Sequence, residues 1–199
     1  MTARENGENE KSLLSMAANL AFRLMVVGLA AAICLGLTYV ATKDRIATQK
    51  EAEEKQASMD SLPALKSAAD LKEERELEKK AAKLEPSVEK VFSSPVGYVI
   101  LLASKGYGGQ IRMGVGIDNA GVIQGVSIIS QSETPGLGSN IQNEEFLRQF
   151  VGKGETSEIK LDGEIKAVTG ATISSTGVAE GVRKAMKVFD KVISGRSPS

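Results

Sequence analysis

The stretch Thr169-Gly170-Ala171-Thr172-Ile173-Ser174-Ser175 sets hydroxyl side chains around a glycine turn, immediately ahead of a strongly periodic helix. Free backbone N–H groups and the helix dipole make such an entrance hospitable to a phosphate. A threonine hydroxyl is a poor nucleophile without a base or metal to activate it. This chain has no histidine to serve as that base. Covalent modification of Thr172 therefore requires activation by a second protein. Its product would be a phosphate ester held by amides from Ser174 onward. The plain alternative is a helix-entry turn rich in small residues.

A second stretch, Ser132-Glu133-Thr134-Pro135-Gly136-Leu137-Gly138, combines a proline with two glycines. These residues fix a tight backbone path that can approach a flat ring closely. Glu133 and Thr134 offer an acceptor and a hydroxyl for polar contacts. The alternative is an ordinary Pro-Gly turn. Tyr107, set in Gly106-Tyr107-Gly108-Gly109, can stack on a ring or cover a core edge.

Composition narrows the chemistry. Among 199 residues there is one cysteine, Cys34, and no tryptophan or histidine. Histidine-ligated haem, cysteine-bound iron–sulfur clusters, the usual zinc sites and any Ser-His-Asp set are excluded within the chain. The 25 basic and 25 acidic residues balance, which gives no support for nucleic-acid binding. Redox activity would need an organic cofactor.

The elements that position these loops follow from periodicity. Leu24 to Ala41 carries no charge and, as a helix, spans about 27 Å, close to a bilayer's hydrocarbon thickness. Arg23, Lys43 and Arg45 flank it, and Tyr39 sits where an interfacial aromatic would. We expect a single membrane-spanning helix over 20–42 in contact with lipid, preceded by a segment 1–19. Charge near its ends does not decide the orientation.

Residues 43–87 form a spacer of mixed charge. Asp44–Ala57 and Ala64–Glu85 both read as helix, with Pro63 between them and Pro86 as a stop. Leu77, Ala81 and Leu84 make a thin apolar stripe. The spacer is either a solvated stalk or a helix that packs on the domain or on a partner.

From Val88 valine, isoleucine and glycine rise. Val96–Ser104 reads as one strand. Ile111, Met113, Val115 and Ile117 alternate with Gln110, Arg112, Gly114 and Gly116 in the period of a half-buried second. Asp118–Gly121 is a turn and Val122–Ser130 a third strand, giving an antiparallel meander. Asn143–Phe150 suggests a short helix, and Asp162-Gly163 a two-residue hairpin. A last helix starts near Ser174 or Ser175, with Val178, Val182, Ala185, Phe189 and Val192 on its buried face. The fold class is therefore α+β: one transmembrane helix, a charged helical spacer and an antiparallel-sheet domain over 88–194 closed by a C-terminal packing helix. Residues 195–199 form a tail.

Taken in order, the tyrosine–glycine loop, the Glu133–Gly138 loop and Thr169-Gly170-Ala171-Thr172 resemble the FMN-binding domain family. With the anchor and spacer, the chain is similar to the G subunits of Rnf electron-transport complexes. The resemblance implies that a membrane-bound flavin transferase moves FMN from FAD onto Thr172 through a phosphoester bond. Thr169, Gly170 and Ala171 would shape the attachment loop, and Glu133, Thr134, Pro135, Gly136, Leu137 and Gly138 would lie near the flavin. It places the domain on the outer face of the cytoplasmic membrane and the N-terminus in the cytoplasm. It also implies that electrons pass through this FMN within a multisubunit complex. That complex couples ferredoxin and NAD to sodium or proton translocation, and this subunit has no complete active site of its own. The family's attachment motif often has an aspartate six residues before the threonine. Here that position is Lys166, with Asp162 and Glu164 close by. Two alternatives are the C subunit of the sodium-translocating NADH:quinone oxidoreductase and a non-redox membrane assembly subunit.

Overall fold

The computed structural model describes residues 2–65, 67–154, 157, 159–161 and 163–195. They divide into two compact units, one ending at Lys50 and one beginning at Glu51.

The first unit is most of helix α1 (Thr2–Ser61). From Asn19 onward α1 is apolar enough to cross a membrane, and it is the one such helix among the described residues. Its large apolar side chains, Leu24 to Val40 among them, point outward and are exposed. Thr38 and Thr42 return their hydroxyls to the carbonyls of Cys34 and Thr38, both at 2.8 Å. Such back-bonding satisfies a hydroxyl inside an apolar medium.

The second unit is built on a five-stranded antiparallel sheet, β1 (Lys72–Glu73), β2 (Val88–Ser94), β3 (Gly97–Lys105), β4 (Gln110–Asp118) and β5 (Ile123–Ser130), paired in chain order. The meander is thus longer than the three strands expected. β2 escaped notice because Glu89, Lys90, Ser93 and Ser94 dilute its apolar pattern. Helix α2 (Arg75–Leu84) buries Ala81 and leans Leu77 and Leu84 on the core, so the stripe on the spacer packs on the domain. The single helix expected over Ala64–Glu85 does not form. Ser67 caps a short 3₁₀ turn at Ala68–Asp70, and Lys72–Glu73 pair with Ser93 and Phe92. Pairing along an open sheet edge overrides a modest local helix preference.

Both faces of β3 are covered. Ile100 and Leu102 join a core under helix α4 (Thr172–Val188), whereas Val99 and Leu101 join Phe92, Leu62 and Leu65 on the other face. That explains the unbroken apolar run Val99–Leu102. On β4, Ile111, Met113, Val115 and Ile117 face α4 as expected. Gly114 and Gly116 do not face solvent, because the end of α1 lies on them. Ser61 closes over Gly114, Gly116 and Gly125, and Ser127 donates to the Ala57 carbonyl at 2.7 Å.

A buried carboxylate holds this end of α1 to the sheet. Glu54 accepts from Lys90 of β2 at 2.8 Å and from Arg112 of β4 at 2.9 Å, and Arg112 also grips Glu89. Burial pushes the Glu54 carboxyl upward, but the hydrogen bonds and charges of Lys90 and Arg112 outweigh it and hold the carboxyl below its ordinary value. A depressed acid stabilises the fold fully above its unfolded pKa, about 4.3, and loses that contribution as pH falls through the folded value. Glu54→Gln is therefore expected to cost about 1–3 kcal/mol at neutral pH. It should cost less as the solution is acidified below about pH 4, which thermal melts of both proteins across pH 3–8 would show.

Residues 144–150 form the short helix expected there, α3 (Glu144–Leu147) continued by one 3₁₀ turn. The hairpin expected around Asp162-Gly163 is absent among the described residues, and Asp162 itself lies outside them. A lone bridge joins Leu161 to Ile165. Ile159 and Ile165 are drawn into the core instead. α4 begins at Thr172, two residues earlier than expected, so Ser174 and Ser175 lie inside its first turn, buried. Gly177 and Gly181 sit four residues apart on its inner face. An ideal Cβ at Gly177 would stand 2.4 Å from the Lys105 carbonyl oxygen, so that position requires glycine for α4 to lie this close to β3. One at Gly181 would stand 2.6 Å from Met113 Sδ, which the flexible methionine must move to admit.

Candidate functional site

Two turns of the same construction face each other at the N-terminal end of α4. In the first, Leu137 N–H returns to the Thr134 carbonyl at 3.2 Å, Pro135 leads, and Gly136 has φ +76°. In the second, Ala171 N–H returns to the Val168 carbonyl at 2.9 Å, and Gly170 has φ +78°. Both are type II turns, whose third residue needs positive φ and hence glycine. Ser139 Oγ accepts from Gly136 N–H, and Asn140 donates to the Gly136 carbonyl, so the first turn is also held by side chains. The turns meet: a Cβ on Gly170 would lie 3.3 Å from Leu137 Cδ2.

Between them opens a cleft of about 450 Å³, lined by Tyr107, Glu133, Thr134, Leu137 and Gly138 on one side and by residues 170–174 on the other. That volume suits a small organic molecule, for which sites run to about 300–1,000 Å³. Three loops distant in sequence thus converge on one cleft. Of the ten residues named from sequence, Glu133, Thr134, Leu137, Gly138, Gly170, Ala171 and Thr172 line the cleft. Pro135, Gly136 and Thr169 do not, and shape the two turns from behind. A larger groove of about 930 Å³, between Asp60, β5 and Val151, contains none of them.

Thr172 is exposed as the first residue of α4. The first backbone bond of the helix runs from Ser175 N–H to the Ala171 carbonyl at 2.8 Å, and Ala171 supplies no capping side chain. The amides of Thr172, Ile173 and Ser174 are therefore the helix's orphan donors. A phosphate esterified at Thr172 would sit against those donors and the positive end of the helix dipole. Tyr107, Leu137 and Ile173 stand 72%, 52% and 56% exposed around the cleft, a set of apolar surfaces suited to an aromatic ring. The residues present fit an FMN joined through its phosphate.

Ile173 was missed from sequence. Its signal was there: it is an isoleucine placed off the buried stripe of Val178, Val182 and Ala185. Ser174 and Glu133 also behave differently from a simple reading. Glu133 is buried, accepts from Gly108 N–H at 3.2 Å, and accepts from Ser174 Oγ at 2.6 Å. It ties all three loops together at the cleft floor rather than standing free in the opening. Gly106 and Gly138 make room for it, since Cβ atoms there would fall 2.0 and 2.7 Å from its carboxylate oxygens. Lys166 is exposed, its backbone clamped by the Gln149 side chain, and Glu164 is paired with Lys153.

Comparison with known proteins agrees with the geometry. The FMN-binding domain family matches residues 106–187, a span that contains every residue of the cleft. The G subunit of the Na(+)-translocating ferredoxin:NAD(+) oxidoreductase complex of Acetobacterium woodii is 32% identical over 85% of this chain and 89% of its own length. The G subunit of an ion-translocating oxidoreductase complex of Methanosarcina acetivorans is 33% identical over 82% and 89%. A crystal structure of the Na(+)-translocating NADH-quinone reductase C subunit from Parabacteroides distasonis shares the fold. It has a TM-score of 0.56 and 20% identity, and the match covers 77% of this chain and 98% of that one. The chain carries an FMN-binding domain behind an apolar N-terminal helix, and it belongs to the family of G subunits of ion-translocating oxidoreductase complexes.

Proposed function

We propose that this chain is a membrane-anchored electron-transfer subunit of an ion-translocating ferredoxin:NAD oxidoreductase complex, with FMN joined covalently to Thr172. The observation that carries this reading is the exposed Thr172 hydroxyl. It stands at an uncapped helix entrance, on the wall of a cleft edged by Tyr107, Leu137 and Ile173. A flavin transferase would form the Thr172 Oγ–phosphorus bond while the pyrophosphate of FAD breaks and AMP leaves. The hydroxyl proton passes to a base on the transferase, because among the described residues none is placed to take it. When bound, FMN supplies reversible one- and two-electron chemistry that no side chain here provides. The amides of Ile173 and Ser174 neutralise its phosphate, and the two type II turns keep the cleft walls rigid.

The membrane helix over 20–42 retains the domain at the bilayer. The domain lies on the outer face, with residues 1–19 in the cytoplasm. A covalent bond keeps the cofactor from loss by dilution there. The FMN-binding domain over 88–194 forms one compact unit with residues from Glu51 onward, so only the start of the 43–87 segment is left to act as a spacer, and residues 196–199 lie outside the described residues. The remaining subunits of the complex are the electron donors and acceptors. Intact mass of the chain produced with an active flavin transferase tests the reading. The expected result is added mass equal to FMN minus water, mapped to the peptide that contains Thr172. An unmodified mass from cells whose transferase labels another substrate would overturn it.

A further inference from the structure

Glu133 is charged, 6% exposed and, among the described residues, has no ion-pair partner. The other buried carboxylate, Glu54, has Lys90 and Arg112 on its oxygens. At Glu133 the contacts are one backbone amide, that of Gly108, and the Ser174 hydroxyl, both uncharged. Glycine at 106 and 138 clears space for the carboxylate, so the chain builds around this group rather than tolerating it. A buried carboxylate without a cation is costly, and groups kept at such cost cluster at functional sites. Its position answers what it acts on, because Glu133 forms part of the cleft wall facing residues 170–174.

We infer that the uncompensated charge of Glu133 lowers the electron affinity of the flavin held in this cleft, which makes it a residue that tunes potential. The inference rests on the reading of the cleft as an FMN site. Adding two electrons and one proton to a neutral flavin ring leaves one extra negative charge on it. A fixed negative charge in the same low-dielectric cleft opposes that addition, and screening by water is weak where the carboxylate is buried. Hydrogen bonds from Gly108 and Ser174 fix the carboxylate in place but do not cancel its charge.

The test is a dithionite titration of the full-length, FMN-loaded protein against reference dyes, comparing wild type with Glu133→Gln and Glu145→Gln. Glutamine is isosteric. It accepts from the Gly108 amide through its oxygen, and its NH₂ donates to the Ser174 hydroxyl. At a fixed ambient potential the ratio of reduced to oxidised flavin in Glu133→Gln is expected to rise at least tenfold, about 30 mV for a two-electron couple. Glu145→Gln removes an exposed charge outside the cleft and should stay within about twofold of wild type by the same relation. An unchanged ratio in Glu133→Gln overturns the inference, as does an equal rise in Glu145→Gln, which would make the effect one of net charge and not of the buried carboxylate. A Glu133→Gln chain that fails to fold or load also counts against it, and Glu133→Asp, which keeps the charge, then reports separately whether the potential stays at the wild-type value. Absence of FMN from wild type, read by intact mass, would instead defeat the assignment of the cleft.

Discussion

Thr172→Ala is expected to abolish covalently attached flavin and to leave the fold standing. The loss should be complete rather than partial, because the phosphoester needs the oxygen of that one side chain. Other hydroxyls are near in sequence but not in place. Thr169 does not line the cleft, Ser174 Oγ is committed to Glu133, and Ser175 Oγ accepts from Val168 N–H at 3.0 Å. The stability change should be within about 0.5 kcal/mol, since the side chain is exposed and alanine is a good helix former at this position. Thr169→Ala is the natural control, with attachment retained but slower. The measurement is flavin fluorescence of the chain in a denaturing gel after expression with the transferase, set beside the thermal midpoint of each variant. A Thr172→Ala chain that stays fluorescent through denaturation sinks the site assignment.

The parts of this site that were legible in the sequence are those whose chemistry is local. A type II turn needs glycine in its third place, so Gly136 and Gly170 announce two tight turns by residue type alone. The helical period of Val178, Val182 and Ala185 announces the helix that Thr172 begins. The parts that were not legible depend on a partner far along the chain. Gly114 and Gly116 read as the solvent side of a half-buried strand, yet they are the floor on which Ser61 rests. Lys72 and Glu73 read as helix until β2 is there to pair with them. Glu133 reads as a free acceptor at a cleft mouth, and only Gly106, Gly108 and Ser174 together show it to be enclosed. In each case the deciding neighbour is more than ten residues away, and nothing within a helical or strand period reports it.

The same distant neighbour makes Gly116→Val a damaging change on the far face of the sheet. An ideal Cβ at Gly116 stands 1.9 Å from the Ser61 carbonyl oxygen, 2.5 Å from its carbon and 3.1 Å from Leu62 N. All three atoms are backbone, so no side chain can swing aside, and the end of α1 must lift off β4. Overpacking of this kind costs about 1–3 kcal/mol. Leu62, fully buried against Val99, Leu101 and Phe92, loses part of its burial as well, worth up to about 1.5–3 kcal/mol. For a domain of this size each kcal/mol lowers the melting midpoint by about 2–4 °C, so a fall of roughly 5–15 °C is expected in thermal melts of the full chain in detergent. Because α4 and the flavin cleft lie across the sheet, covalent attachment at Thr172 should persist at temperatures where the variant is folded. The two readouts separate cleanly: stability belongs to the face that carries α1, and the chemistry belongs to the face that carries α4. A Gly116→Val chain that melts like wild type would mean that Ser61 does not rest on β4 and that the segment from Glu51 to Leu65 is held by the Glu54 cluster alone.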